Sequence, residues 1–399
     1  MRKLNKTAAC GILAAALAAG TLSGCSKAID GTKTVATVGD EKVTLGLASY
    51  MVRDQQAQTV SYYNMLMSQY GVSGSASNVW DQKGDDGKTV GESSKDGVMT
   101  TINQLYVLKA HAADYDVTIT DDEEKAIKEA AAEFIKDNDE KILKKLAVSE
   151  DDIVTYLELV TIRSKMHDPM TADVDTEVSA NEKDQTRVTI VKVSTEGTEK
   201  DDDGNTIDLT DEEKAQKKDL AQQVLDKVKA SDDVANADMD ALAKEVDDSL
   251  SATAPAFTTA GDTDDTLDEA VQDAALELKD GEVADKVIEG DDGYYVVRLD
   301  KMLDEDATEN KEKTVISERK SDLYDSTLED WVKEEKIKVK DKVWDQITVT
   351  DSVSFVYKSA DSSDDTESND AQDSTEDTSS QDNSEDTTTE DTAAEDSAE

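Results

Sequence analysis

The chain has 399 residues and a formal charge of −50, from 93 acidic and 43 basic side chains. Residues 1–24 carry three of the bases and residues 361–399 sixteen of the acids, so most of the acidic excess lies on the body between them. Such a surface repels nucleic acid, and no basic stripe offsets it. Aromatic side chains make up only 4% of the chain, so its cores must be built from Ala, Val, Leu, Ile and Met. The length allows two or three domains.

MRKLNK is a basic head, and GILAAALAAGTL behind it is apolar but shorter than the roughly 20 residues of a spanning helix. Together they form a secretory signal. Its end, Leu22-Ser23-Gly24-Cys25, resembles the bacterial lipobox. That resemblance implies cleavage before Cys25 and transfer of diacylglycerol to its sulfur. Residues 1–24 are then a lipoprotein signal peptide and 25–34 a tether. The expected location is the outer face of the bacterial cytoplasmic membrane, held by a lipid anchor. Of the two cysteines, Cys10 leaves with the signal and Cys25 is alkylated. No disulfide, thiolate metal site or Cys nucleophile remains.

ThrValAlaThrVal–GlyAspGlu–LysValThr (34–44) predicts a small hairpin that runs into a helix. Val60, Tyr63, Met67 and Tyr70 continue that helix at 3-4-3 spacing; Tyr63, Met65 and Met67 are candidates to line a client cleft, but helix core is the first reading. The Gln-rich stretch 54–58 is polar. Residues 71–96, rich in Gly, Ser and Asp, read as a loop. Val98, Ile102, Leu105 and Leu108 mark the next helix, which ends near Tyr115. Thr120-Asp-Asp-Glu123 is a capping box, and the helix behind it buries Ile127, Ala130, Ala131 and Phe134. Ser149-Glu-Asp-Asp starts another, with Ile153, Tyr156, Leu157 and Val160 on one face.

The texture changes after Pro169. ArgValThrIleValLysVal (187–193) is a strand. A second capping box at Thr210–Glu213 opens a helix carrying Leu220, Val224, Leu225 and Val228, and a shorter one carries Leu242 and Val246. AlaProAlaPheThrThr (254–259) is extended. Leu267, Ala270, Val271, Ala274, Ala275 and Leu278 share a helical face. ValAlaAspLysValIleGlu and TyrTyrValValArgLeuAsp, joined by Gly290-Asp-Asp-Gly293, form a hairpin. Residues 309–335 return to helix, with Leu323, Tyr324, Leu328 and Trp331 as the apolar stripe. Short strands follow at 337–340, 346–350 and 353–357. From Ser359 onward the composition is too polar to fold, so 359–399 is expected to be a disordered acidic tail.

The order of these strands and helices, ending in AspGluAlaValGlnAspAlaAlaLeuGluLeuLysAspGlyGluValAlaAsp and GlyTyrTyrValValArgLeu, resembles the parvulin family of peptidyl-prolyl isomerases. ThrIleAsnGlnLeuTyrValLeuLysAlaHisAla and ThrAspAspGluGluLysAlaIleLys resemble the N-terminal chaperone segment of PrsA-type and SurA-type foldases. The resemblance implies an α+β architecture. An N-terminal helical chaperone segment (35–178) and a C-terminal helix with strands (303–358) form one mainly helical domain, and a parvulin-like βααβαββ domain (185–302) is inserted between them. It implies a foldase or chaperone for newly secreted, unfolded polypeptides, held at the membrane by its lipid.

The resemblance also implies two strand histidines around an apolar proline pocket, and here the chain departs from the family. Thr189 stands at the first of these positions and Tyr295 at the second. The only histidines are His111 and His167, both upstream of the insert. Phe257, Leu267, Val271 and Tyr295 are the remaining candidates for a proline pocket, though plain domain core is the simpler reading of all of them. Isomerase activity is therefore open, and the alternatives are an active peptidyl-prolyl isomerase and a non-catalytic surface or adhesion lipoprotein. Asp201, Asp203 and Gly204 hint at a calcium loop, but the spacing fails and Thr210 replaces the terminal Glu, so a solvated turn is expected. No metal or cofactor motif is found. The oligomeric state, a homodimer included, is open.

Overall fold

The computed structural model describes residues 17–22, 29–70, 79–200, 206–259 and 267–358. Cys25, the Asp201–Gly204 stretch read as a solvated turn, the basic residues 1–6 and the acidic residues from 359 lie outside these residues. The chain is α+β; one hydrophobic core gathers residues from 17–170 and 328–355, and two smaller cores lie between Val188 and Leu299.

Leu17–Leu22 of the apolar leader stretch forms a strand, β1. β2 (Thr34–Val38) and β3 (Glu41–Thr44) make a hairpin whose turn holds Gly39 at φ +57°, a conformation that glycine adopts without strain. Thr44 then caps α1 (Leu45–Gln69), its hydroxyl accepting from Leu47 N at 3.2 Å. α2 (Val90–His111) begins well inside the stretch read as loop, because Thr89 and Glu92 form a capping box there. The same stretch supplies Trp80, which is fully buried. α3 (Asp121–Asp137) and α5 (Glu150–Met170) start at the boxes of Thr120 and Ser149. Between them lies α4 (Glu140–Leu146), capped by Asp139 and burying only Leu146, too little apolar surface to stand out in the sequence.

After the short α6 (Ala180–Lys183) comes the insert: β4 (Gln185–Ser194), α7 (Asp211–Lys229), α8 (Met239–Lys244), β5 (Ala252–Thr253), β6 (Ala256–Thr258), α9 (Glu269–Leu276), β7 (Ile288–Glu289) and β8 (Gly293–Lys301). The extended stretch at 254–259 is thus two strands. Pro255 interrupts it, having no N–H for the ladder, and both pieces pair with β4. β4 and β8 are the antiparallel centre, from Val188↔Leu299 to Ser194↔Gly293. Both faces of this pair are covered, so β8 is buried from Gly293 to Leu299 rather than alternating. α7 and α8 pack over Val191, Val193, Tyr294 and Val296, while α9 packs over Val188, Ile190, Val297 and Leu299.

The chain returns through α10 (Glu305–Glu334), β9 (Ile337–Val339), α11 (Asp341–Trp344) and β10 (Val353–Tyr357). β9 adds to β2, and β10 lies along α1 and pairs with β1. The stretch 346–350 is not the strand its alternation suggests. It is the turn behind α11, with Ile347 and Val349 buried in the core that both ends of the chain share.

Asp304 is the joint between insert and helix. It is buried, its Oδ1 accepts from Asp306 N at 3.1 Å and Ala307 N at 3.2 Å, and its Oδ2 is bonded to Arg187 of β4. Asp304→Ala removes the cap and the partner of Arg187 Nε, and should lower stability by about 1–2 kcal/mol in urea denaturation. The bond from Arg187 holds this carboxyl below its ordinary pKa, against the opposing effect of burial. The ion pair's contribution is therefore complete above the unfolded carboxylate range and is lost as pH falls from there through the lower folded pKa. Asp304→Asn, which keeps the cap, should approach wild-type stability below about pH 4.

Candidate functional site

The hairpin that ends the insert is built around one carboxylate. Asp268 Oδ1 accepts from Ala270 N at 2.9 Å and so caps α9, while its Oδ2 accepts from Asp291 N at 2.7 Å in the β7–β8 turn. Gly290 opens that turn. A Cβ there would lie 2.4 Å from Asp268 Oδ2 and 2.9 Å from Tyr295 Cε2, so a larger residue must push these side chains aside.

Tyr295 follows on β8, opposite Ile288 of β7 and Lys192 of β4. Its ring is buried and its hydroxyl donates to Asp292 Oδ1, while Asp292 Oδ2 pairs with Lys192. The ammonium of Lys192 sits 5.9 Å from the Tyr295 ring centroid. Burial first, and then the bond to Asp292, push the phenol well above its ordinary pKa. Burial also pushes Asp292 up, but the bonds from Lys192 and Tyr295 outweigh it and hold the carboxyl low. The result is a protonated phenol already spent on an ionised carboxylate. It can reach a substrate carbonyl only by giving up that bond.

Phe257, Leu267, Val271 and Tyr295 do come together, in the cluster under α9. They meet as core, however: Phe257 and Val271 are fully buried, Tyr295 is 4% exposed and Leu267 9%. Thr189 does not join them. Side chains alternate across a strand, and Thr189 pairs with Arg298 on the face covered by α7 and α8. There its hydroxyl donates to Asp300 Oδ2 at 2.6 Å and accepts from Arg298 Nη2 at 3.3 Å. Arg298 also donates to the carbonyls of Val234 at 3.1 Å and Ala237 at 2.8 Å, pinning the loop before α8. Thr189 and Tyr295, which stand at the two histidine positions of the resemblance, therefore face opposite sides of the sheet. The β4 residues on Tyr295's face are Val188 and Ile190, with Lys192 directly opposite it.

A second candidate lies in the helical domain. The last turns of α1 project with Tyr62 56%, Tyr63 43%, Met65 59%, Met67 39% and Tyr70 78% exposed. The spacing of Tyr63, Met67 and Tyr70 suggested a core stripe, and only Val60 of that stripe is buried. Beside the buried half of α1 a cavity of about 240 Å³ runs between α1, α2 and α5, lined by Asp54, Gln58, Thr101, Tyr156 and Arg163 among others. The histidines are remote from the insert's hairpin. His111 stacks on Trp331 at 4.1 Å and contacts Asp114 at 3.1 Å, while His167 lies 5.4 Å from the Tyr324 ring.

Residues 199–313 match the family of the PPIC-type peptidyl-prolyl isomerase domain. The matched stretch starts after β4 and runs into α10, although the sheet needs β4 at its centre. No curated protein sequence matches the chain. Among solved structures, a PrsA foldase from Lactococcus lactis is similar at 15% identity and a TM-score of 0.31, over 78% of this chain and 96% of that one. A PrsA peptidylprolyl isomerase from Bacillus cereus is similar at 19% identity and a TM-score of 0.29, over 66% and 94%. A structure of SurA-like chaperones from Campylobacter jejuni is similar at 9% identity and a TM-score of 0.25, over 77% and 99%.

Proposed function

We propose that the chain is an extracytoplasmic foldase, anchored through Cys25, that helps secreted polypeptides chiefly by holding them, with a parvulin-like insert that does not catalyse proline isomerisation. The observation that carries the holding role is the exposed Tyr and Met end of α1. Contiguous apolar side chains left in water mark interaction surfaces, and Met and Tyr adapt to many partners at low conformational cost. The acidic body adds solubility to a complex whose client would otherwise precipitate.

Several observations speak against catalysis. No histidine lies in 185–302. The apolar residues that would seat a proline are packed on one another, and the one hydroxyl among them is bonded to Asp292. The family match to residues 199–313 supports descent of the fold, and function has to be argued from the site. The anchor rests on the Leu22–Cys25 motif, and no helix among the described residues is long and apolar enough to cross a membrane.

The test pairs two assays on one preparation. Near-stoichiometric protein should suppress aggregation of an unfolded secreted client. Refolding of a protein limited by a single X-Pro bond, a step of tens of seconds or more, should not accelerate, and Tyr295→Phe should change nothing. Acceleration at catalytic amounts, lost in Tyr295→Phe, would establish an isomerase instead. Failure to suppress aggregation would leave a surface spacer.

A further inference from the structure

β10 lies against α1, and one of its edges is taken by the leader. The register runs Leu17↔Tyr357, Ala18↔Val356, Ala19↔Phe355 and Leu22↔Val353. Among the described residues, β1 is the one named strand that pairs with β10. The seat has its own polar fitting. Leu17 is 2% exposed, and its N–H donates at 2.9 Å to Oδ1 of Asn138. Asn138 is itself 6% exposed and is fixed by its amide, which donates to Phe134 O at 2.8 Å. From the other side, α1 holds β10 with Gln56 Nε2 on Val353 O at 3.1 Å and Asp54 Oδ1 on the Tyr357 hydroxyl at 3.0 Å. Neither strand carries a charged residue, in a chain of net charge −50.

Cleavage before Cys25 would take β1 away. β10 would then show a row of unpaired backbone groups, and Asn138 a buried acceptor with nothing to accept from. Both are unfavourable to leave unmet. Among the described residues, Leu17 is what the leader contributes to the buried core.

We propose that this groove is a strand-acceptor site for clients. Its occupant is an extended, uncharged, apolar segment of a secreted polypeptide, added antiparallel to β10 with one backbone N–H on Asn138. The leader holds the place until it is cut. Strand addition draws its affinity from main-chain bonds and so tolerates many sequences, as a foldase requires. The site lies beside the buried half of α1, apart from the Tyr and Met end, and it rests on the proposed processing at Cys25.

The probe is the synthetic peptide AALAAGTLS, residues 15–23, labelled for fluorescence anisotropy. The protein is the processed chain purified in detergent, its N-terminus read by intact mass. The peptide should bind the processed chain and bind the uncut precursor at least tenfold more weakly, because the tethered leader competes at an effective concentration on the order of millimolar. A peptide with Leu17→Pro, lacking the N–H for Asn138, should also lose at least tenfold. Equal binding to both chains, or no binding to a processed chain with native circular dichroism, overturns the acceptor site. A mass that retains residues 1–24 overturns the anchor alone. The groove is then opened in the full chain by Leu17→Asp with Leu22→Asp, and the same peptide decides it.

Discussion

Replacing Tyr62, Tyr63 and Tyr70 by Ser and Met65 and Met67 by Gln should raise at least tenfold the amount of protein needed to suppress client aggregation, while thermal stability stays near wild type. The reason is the division of α1. Its first turns are tied down: Leu45, Leu47, Tyr50 and Val52 are buried, and Arg53 and Gln56 donate to the backbone of the C-terminal segment. The last turns carry large apolar side chains that do nothing for the core, since they are 39–78% exposed. Surface substitutions away from caps and cores change stability by about 0.5 kcal/mol or less, and Gln is about as good a helix former as Met. An interaction surface is different, because a few aromatic side chains carry most of its binding energy. Suppression by the variant equal to that of wild type would remove this patch from the mechanism. A collapse of the melting temperature would show that α1 needs the patch as core.

The same helix shows how far the sequence could be read. Periodicity located the later turns of α1 but took them for core. Gln56, in the stretch read only as polar, is buried, and so are Arg53 and Asp54. The partners that satisfy them, such as Thr348 O and Val353 O, lie 295 and 297 residues further along the chain. No local pattern announces a neighbour at that distance. Tyr63, Met67 and Tyr70 looked buried because helical spacing of apolar residues usually means core, and an interaction surface has the same spacing. Short-range chemistry was far easier to read. The capping boxes at Thr120, Ser149 and Thr210 start helices where the sequence puts them, and the Gly290–Gly293 turn joins its strands. The box at Thr89 was equally readable but was hidden by the Gly, Ser and Asp around it.

In the insert, strand order was legible and facing was not. The pairing of β4 with β8 sets which residues look toward α9, and it puts Thr189 on the face away from Tyr295, which composition and alternation alone do not reveal. With register in hand, two polar groups separate cleanly. Thr189, Arg298 and Asp300 lock a loop beneath α8, and Tyr295, Asp292 and Lys192 close the hairpin over α9. In each the polar groups pair with one another, as polar residues do when their job is to fix a fold.

Phe257→Ala then separates a core from a pocket. Phe257 is fully buried on β6, opposite Thr186 of β4, and packs in the cluster of Leu267, Val271 and Tyr295. Truncating such a ring removes its transfer free energy and leaves a cavity, together about 3–5 kcal/mol. An insert with two small cores, one on each face of a single sheet, has little stability to lose. The variant should therefore unfold the insert while leaving the helical domain standing. All three tryptophans, Trp80, Trp331 and Trp344, lie outside residues 185–302, so tryptophan fluorescence follows the helical domain alone. Hydrogen exchange of the β4 and β8 amides follows the insert. Protection of those amides should fall by a factor of 100 or more, the equivalent of about 3 kcal/mol, with the tryptophan transition unmoved. Unchanged protection would mean that Phe257 overhangs a space large enough for a proline, and the insert would again be a candidate isomerase.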